Sequence, residues 1–153
     1  MERTDVIDKK ILKILQRDAK KSAKEIAELL NLSVSPVYER IRKLEKEGFI
    51  KKYVAILDKK MLNRSVIAFC QVTLKQHSET STEKFEAEII KLDEVQECYH
   101  MSGEVDFLIK VNMRDLEEYH NFVRQKLSKI ANIRTINTTF VLKESKNNSE
   151  LFF

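Results

Sequence analysis

The chain has no tryptophan, one proline, two glycines and two cysteines in 153 residues, and the shortages of cysteine and glycine each remove a class of protein. Two cysteines, Cys70 and Cys98, cannot form the disulfide framework of a small secreted domain; both lie in apolar, β-like stretches, where buried reduced thiols are expected. So little glycine leaves no room for a phosphate-cradling loop, and neither G-x-G-x-x-G nor a P-loop occurs. A Ser/His/Asp set is also missing, so no catalytic residue and no cofactor are expected. No apolar run approaches the roughly 18 residues of a membrane helix. The opening MERTDVIDKK is charged from its second residue and has no apolar signal core. A cytoplasmic protein with no membrane partner is expected.

What the chain does have is charge, unevenly placed. Hydrophobic residues make up 42% and charged residues 34%, with a net charge of +4, a normal balance for a globular protein of one ordinary or two small domains. Residues 1–64 hold 17 Lys and Arg against 10 Asp and Glu, a net of +7, whereas residues 65–153 hold 11 against 14, a net of −3. The front of the chain therefore suits a polyanion and the rest suits another task.

The hydrophobic period changes along the chain in step with the charge. Thr4 can cap a first helix whose Ile7, Ile11, Ile14 and Leu15 form one stripe. Ser22 can cap a second, with Ile26, Leu29 and Leu30 inward, and Ser33 opens a third that Gly48 stops. The following FIKKYVAIL is β-branched and aromatic enough for a strand. From Ser65 the period becomes two: Val66, Ala68, Cys70, Val72 and Leu74 share a strand face. A helix with Phe85, Ile89 and Leu92 follows, then the strands VQECYHM and DFLIKVNM joined around Ser102-Gly103-Glu104. Asp115 and Glu118 suggest a capping box for a helix placing Leu116, Tyr119, Val123 and Leu127 or Ile130 inward. A last strand, RTINTTFVL, sets Ile136, Thr138, Phe140 and Leu142 on one side. The order β-α-β-β-α-β is ferredoxin-like. The predicted α+β chain has a winged helix-turn-helix domain at 1–57, a linker at 58–64 and a ferredoxin-like βαββαβ domain at 65–145. The tail 146–153 is polar until its end and is left undecided.

The one proline sits in LSVSPVYERIRKLEKEGF, residues 32–49. On a helical wheel Val34, Val37, Ile41 and Leu44 share an arc, with Ser35, Pro36, Glu39, Lys43 and Lys46 opposite and Arg40 and Arg42 flanking that outer face. In the first turn Pro36 sacrifices no intrahelical hydrogen bond and fixes the helix start. Taken alone the basic face is ordinary solvated surface; the short turn between capped helices, Gly48 and the strand after it favour a winged helix-turn-helix whose second helix enters the major groove of double-stranded DNA. Ser33, Ser35, Pro36, Glu39, Arg40 and Lys43 are candidates near DNA, and Arg42, Lys46, Lys51 and Lys52 are phosphate candidates. Glu39 could accept from a cytosine amino group or pair with Lys43 at i+4.

Four stretches together resemble the Lrp/AsnC family of regulators: IDKKILKILQRDAKKSAKEIAELLNLS, the pattern S-x-S-x-x-x-x-R-I-x-x-L-E-x-x-G-x-I from Ser33 to Ile50, SGEVDFLIKV at 102–111 and TTFVL at 138–142. The resemblance spans nearly the whole chain. It implies a sequence-specific transcriptional regulator whose ferredoxin-like domain dimerises through its sheet. It also implies homodimers that assemble further, and a small effector, an amino acid, held at contacts between regulatory domains. Carried over by position, the effector residues are Ser102, Gly103, Glu104, Asp106 and Thr138. Two positions depart from the family pattern: Asp18-Ala19-Lys20 replaces Asp-Gly-Arg, and Asn63 stands where glycine is common.

Siroheme decarboxylases resemble this family too and are the enzymatic alternative. Cys98 and His100 would share one strand face, but two ligands fall short of the three or four that zinc needs, so no metal site is expected.

Overall fold

The computed structural model describes residues 4–148 and 150–153. Two compact units result: one runs to Ile56 and includes Lys146–Phe153, and the other is Leu57–Ser145.

The first unit begins with α1, Val6–Arg17. Asp5 caps it, not Thr4: the Asp5 carboxylate accepts the Asp8 N–H at 2.8 Å and Asp8 accepts the Asp5 N–H at 3.2 Å. Helix α2, Ala23–Leu30, starts with the same device, Ser22 with Glu25, which satisfies two otherwise orphaned donors. Asn31 at φ 54° ends it in the left-handed conformation. Helix α3, Val34–Lys46, follows Ser33 at its N-cap, whose hydroxyl makes no capping bond. The three helices bury Ile11, Leu15, Ile26, Ala27, Val37 and Leu44 against one another. Val34 and Leu29, expected inward, lie 45% and 57% exposed, while Leu30 at the end of α2 packs against the core.

Gly48 takes φ +79° immediately after α3, and a side chain there would meet no atom within 4 Å. Its value is therefore conformational and not steric. The segment after it differs from the sequence expectation: residues 51–58 form neither strand nor helix. Strand propensity needs a neighbouring backbone to become a strand, and this segment has none within the described chain.

In the second unit residues 58–64 fold into a turn in which the Asp58 carboxylate accepts the Lys60 and Met61 N–H groups at 2.8 and 3.1 Å. Then come β1 (Val66–Leu74), α4 (Glu79–Ile89), β2 (Val95–His100), β3 (Phe107–Met113), α5 (Leu116–Gln125) and β4 (Ile133–Phe140). The four antiparallel strands are ordered β2-β3-β1-β4, the ferredoxin-like arrangement. The register aligns Cys98 with Ile109, Ile109 with Cys70 and Cys70 with Thr138, so these four residues form one row across the sheet. The Cys70 and Cys98 thiols are separated by β3, about 10 Å of strand spacing, too far for a disulfide. The buried face packs on Phe85 and Ile89 of α4 and Phe122 of α5; the Phe85 and Phe107 rings lie 4.6 Å apart. Removing either ring would cost about 3–5 kcal/mol. Leu116, expected inward, is 61% exposed, and Phe122 takes the inward place. At Asp115 only half of the expected capping box forms: Asp115 accepts the Glu118 N–H at 2.8 Å, but Glu118 accepts from the Arg114 N–H at 2.5 Å.

Gly48→Ala is expected to lower stability by about 1 kcal/mol, and Gly48→Asn by less, since asparagine tolerates a positive φ. Urea unfolding followed by circular dichroism measures both, and equal effects would contradict a conformational cause.

Candidate functional site

On α3 the residues Ser35, Pro36, Glu39, Arg42, Lys43 and Lys46 are all exposed, while Val37 and Leu44 on the opposite side are fully buried. Pro36 occupies the third position of the helix, where its missing N–H leaves no gap. Lys51 and Lys52 are exposed on the irregular segment after Gly48. Arg42 lies 5.9 Å from the ring centre of Tyr38, a cation–π distance. Tyr38, 51% exposed, is a member of this surface that the wheel missed, because it falls between the inward and outward arcs. Behind it the Tyr53 hydroxyl donates to Glu45 at 2.9 Å; burial and that carboxylate push the phenol up to about 12.

Arg40 does something else. Its guanidinium Nη1 lies 2.6 Å from both Asp5 and Asp8 of α1, and Asp8 is 1% exposed. These two carboxylates, Asp8 foremost, push the Arg40 guanidinium further up. The Asp8 N–H and then Arg40 hold the Asp5 carboxyl below its ordinary range. Arg40 thus ties α3 to α1 and is turned away from the face formed by Ser35 and Lys43.

The residues implied as effector contacts occupy two separate places. Ser102, Gly103 and Glu104 are exposed in the loop between β2 and β3, and Gly103 takes φ +145°. Asp106 closes this loop: its N–H donates to the Val72 carbonyl at 3.0 Å, and its carboxylate accepts the Leu74 N–H at 2.7 Å and meets His77 Nδ1 at 2.9 Å. Thr138 lies across β1 on β4, its hydroxyl bonded to that of Tyr119. The Tyr119 ring meets Phe140 edge-on at 4.9 Å, and burial pushes its phenol up to about 12. Loop and threonine thus flank β1 on opposite sides and do not converge within one chain.

Among the described residues the helices α4 and α5 pack on the core face of the sheet, and the alternate residues of the strands point to the other face. There Lys110, its side chain 13% exposed, meets Glu97 at 2.8 Å, and the Tyr99 hydroxyl donates to Glu97 at 2.7 Å. Lys110 first, then Tyr99, holds the Glu97 carboxyl below its ordinary range. Cys98 and His100 share a strand face, where His100 stacks on Phe107 at 4.9 Å; no cluster of three potential ligands occurs among the described residues.

A helix-turn-helix with an exposed serine- and lysine-bearing second helix, joined to a ferredoxin-like domain, defines a DNA-binding protein with a separate regulatory domain. Two family models fit these units: "Winged helix-turn-helix DNA-binding" matches residues 4–51 and "Lrp/AsnC ligand binding domain" matches residues 67–151. The leucine-responsive regulatory protein of Salmonella typhimurium is 35% identical over 96% of this chain and 90% of its own length, and that of Escherichia coli K12 is 34% identical over the same shares. Among solved structures, a transcriptional regulator from Neisseria meningitidis in complex with L-Met is 31% identical with a TM-score of 0.91, covering 97% of this chain and 96% of that one. An AsnC family regulator from Agrobacterium tumefaciens is 34% identical with a TM-score of 0.92 over the same shares. The chain belongs to the Lrp/AsnC family and is a DNA-binding transcriptional regulator.

Arg40→Ala should destabilise the first unit by about 2–4 kcal/mol, because it strands a buried carboxylate. Asp8→Leu combined with Arg40→Leu should recover most of that loss in urea unfolding; an unaltered single variant would refute the role. In acid, the contribution of Asp5 is complete above the ordinary carboxylate range, near pH 4, and is lost as pH falls through its lowered value. Asp5→Asn should therefore flatten the acid limb of a pH–stability curve.

Proposed function

We propose that this regulator reads duplex DNA with the outer face of α3 and alters its assembly or DNA affinity on binding a small effector, an amino acid. The observation that carries the DNA half is the pairing of Arg40 with Asp5 and Asp8, which leaves Ser35, Pro36, Glu39 and Lys43 as the outward set. In this reading Ser33, Ser35, Glu39 and Lys43 lie near base edges, and Arg42, Lys46, Lys51 and Lys52 meet phosphates. Arg40 acts by positioning α3. An amino-acid effector is supported by the L-Met complex of the Neisseria relative. Ser102, Gly103, Glu104, Asp106 and Thr138 would contribute to the effector site from different subunits, since one chain does not bring them together.

The sheet face opposite the helices, with Glu97, Lys110 and Tyr99, suits a homodimer, which assembles further into a higher homo-oligomer. Two recognition helices would then sit about one turn of DNA, ~34 Å, apart, and the operator would be roughly palindromic. The domains of action are residues 1–57 for DNA and 65–145 for effector and assembly, in the cytoplasm and with no reaction catalysed.

Fluorescence anisotropy against duplex DNA from upstream of the protein's own gene, with a scrambled duplex as control, tests the first half. The log of the affinity should fall with log salt by about 0.9 per phosphate contact. Lys43→Ala should weaken binding about tenfold and narrow the gap between operator and scrambled duplex, whereas Lys46→Ala should lower that slope by about 1; an unchanged affinity in the Lys43 variant would refute the docking. With L-Met, L-Leu and other amino acids added in turn, one should shift affinity by about 5- to 150-fold. Asp106→Ala, which removes the clasp on Leu74 and His77, should abolish the shift and leave DNA binding in place. Loss of DNA binding in that variant would mean the two roles are not separate.

A further inference from the structure

Residues 143–149 are all polar, and the sequence then ends Glu150-Leu151-Phe152-Phe153. Three apolar residues behind a polar run have no reason to order themselves unless something receives them, and α1 does. Gln16 clamps the Leu151 backbone from both sides: its carbonyl accepts the Leu151 N–H at 2.7 Å, and its amide donates to the Leu151 carbonyl at 3.3 Å. One side chain thus supplies the donor and acceptor pair that a neighbouring strand would supply. One turn of helix carries the rest. Arg17 Nε lies 3.3 Å from the Glu150 carboxylate, and Lys13 Nζ lies 5.7 Å from the centre of the Phe153 ring, within cation–π range. Leu151 and Phe153 also wall an apolar cleft of about 570 Å³, shared with Leu12, Leu15, Phe49 and Tyr53.

We propose that Glu150–Phe153 is a docking peptide for the DNA-binding unit, received in cis by the Lys13, Gln16 and Arg17 face of α1 and held reversibly. Reversibility follows from the contacts: Leu151 is 73% and Phe152 89% exposed, so docking buries little and opens at low cost. The chain consequence is specific. The regulatory unit is bounded at residues 57 and 145, so a docked segment gives it two attachments to the DNA-binding unit and an undocked segment leaves one. Ligand-dependent movement of β4 would then act on α1 through residues 141–149. This docking does not depend on which effector binds.

Hydrogen exchange on the full chain tests it at one atom. The Leu151 amide should be protected, and Gln16→Ala should speed its exchange at least tenfold while the amides of α3 stay unchanged. A labelled peptide of sequence Asn-Asn-Ser-Glu-Leu-Phe-Phe should bind saturably to a chain lacking residues 150–153, at least fivefold more weakly when Gln16 is alanine, and should not bind the intact chain. Three results would each overturn the proposal: a Leu151 amide exchanging at the free-peptide rate, failure of the peptide to bind a shortened chain of native circular dichroism, or protection that fades on dilution, which would place the segment of a second copy on α1.

Discussion

A carboxylate almost wholly removed from water fixes the geometry of the DNA-binding unit. Asp8, 1% exposed, sits in the first turn of α1, where the helix dipole favours negative charge by a few tenths to one kcal/mol. That is far less than burial of an isolated charge costs, so its guanidinium partner on α3 is required. Because Arg40 must reach Asp8, α3 cannot rotate about its axis without breaking the pair. Glu39 and Lys43, one position before and three after it, are therefore held at fixed angles on the outer side. An inward ion pair thereby sets the outward face.

The regulatory unit depends on a different constraint, the central position of β1 between β3 and β4. Alternation along that strand places Ala68, Cys70, Val72 and Leu74 in the core and leaves Phe69, Gln71 and Thr73 to the opposite side. Polar groups within the packed side are matched in place: Thr138 meets Tyr119, and Tyr119 lies 3.8 Å from the Cys70 sulfur. Asp106 fastens the β2–β3 loop to β1, so any change in that loop is felt by a strand that borders β4.

Much of this was legible in the sequence, because two periods and a few caps carry it. The alternation from Val66 to Leu74, the Ser22 and Asp115 caps, and the turn at Gly48 all rest on local rules. Thr4 is a plausible cap by residue type, but Asp8, three residues after Asp5, completes a capping box that selects Asp5. A wheel gave Arg40 its azimuth but could not show a partner 32 residues earlier in the chain. FIKKYVAIL has strand-forming residues, yet a strand is a property of two backbones. Alternation puts Thr138 on the same side of β4 as Ile136 but also includes Leu142, which lies beyond the strand and is fully exposed; the Thr138–Tyr119 bond depends on how α5 crosses the sheet. The docking of Leu151 on Gln16 spans 135 residues, and no local signal announces it.

The row of side chains that crosses the sheet has a chemical corollary for the two sulfurs. Burial pushes the Cys70 thiol up, and burial together with Glu86 pushes Cys98 up to about 11. At neutral pH Cys98 is therefore held in the thiol form, whereas the thiolate is the form that peroxides and alkylating agents attack. With β3 between them, neither sulfur can serve the other as a resolving partner. An oxidant therefore meets two thiols that burial keeps in the less reactive protonated form and that cannot bridge to each other within one chain.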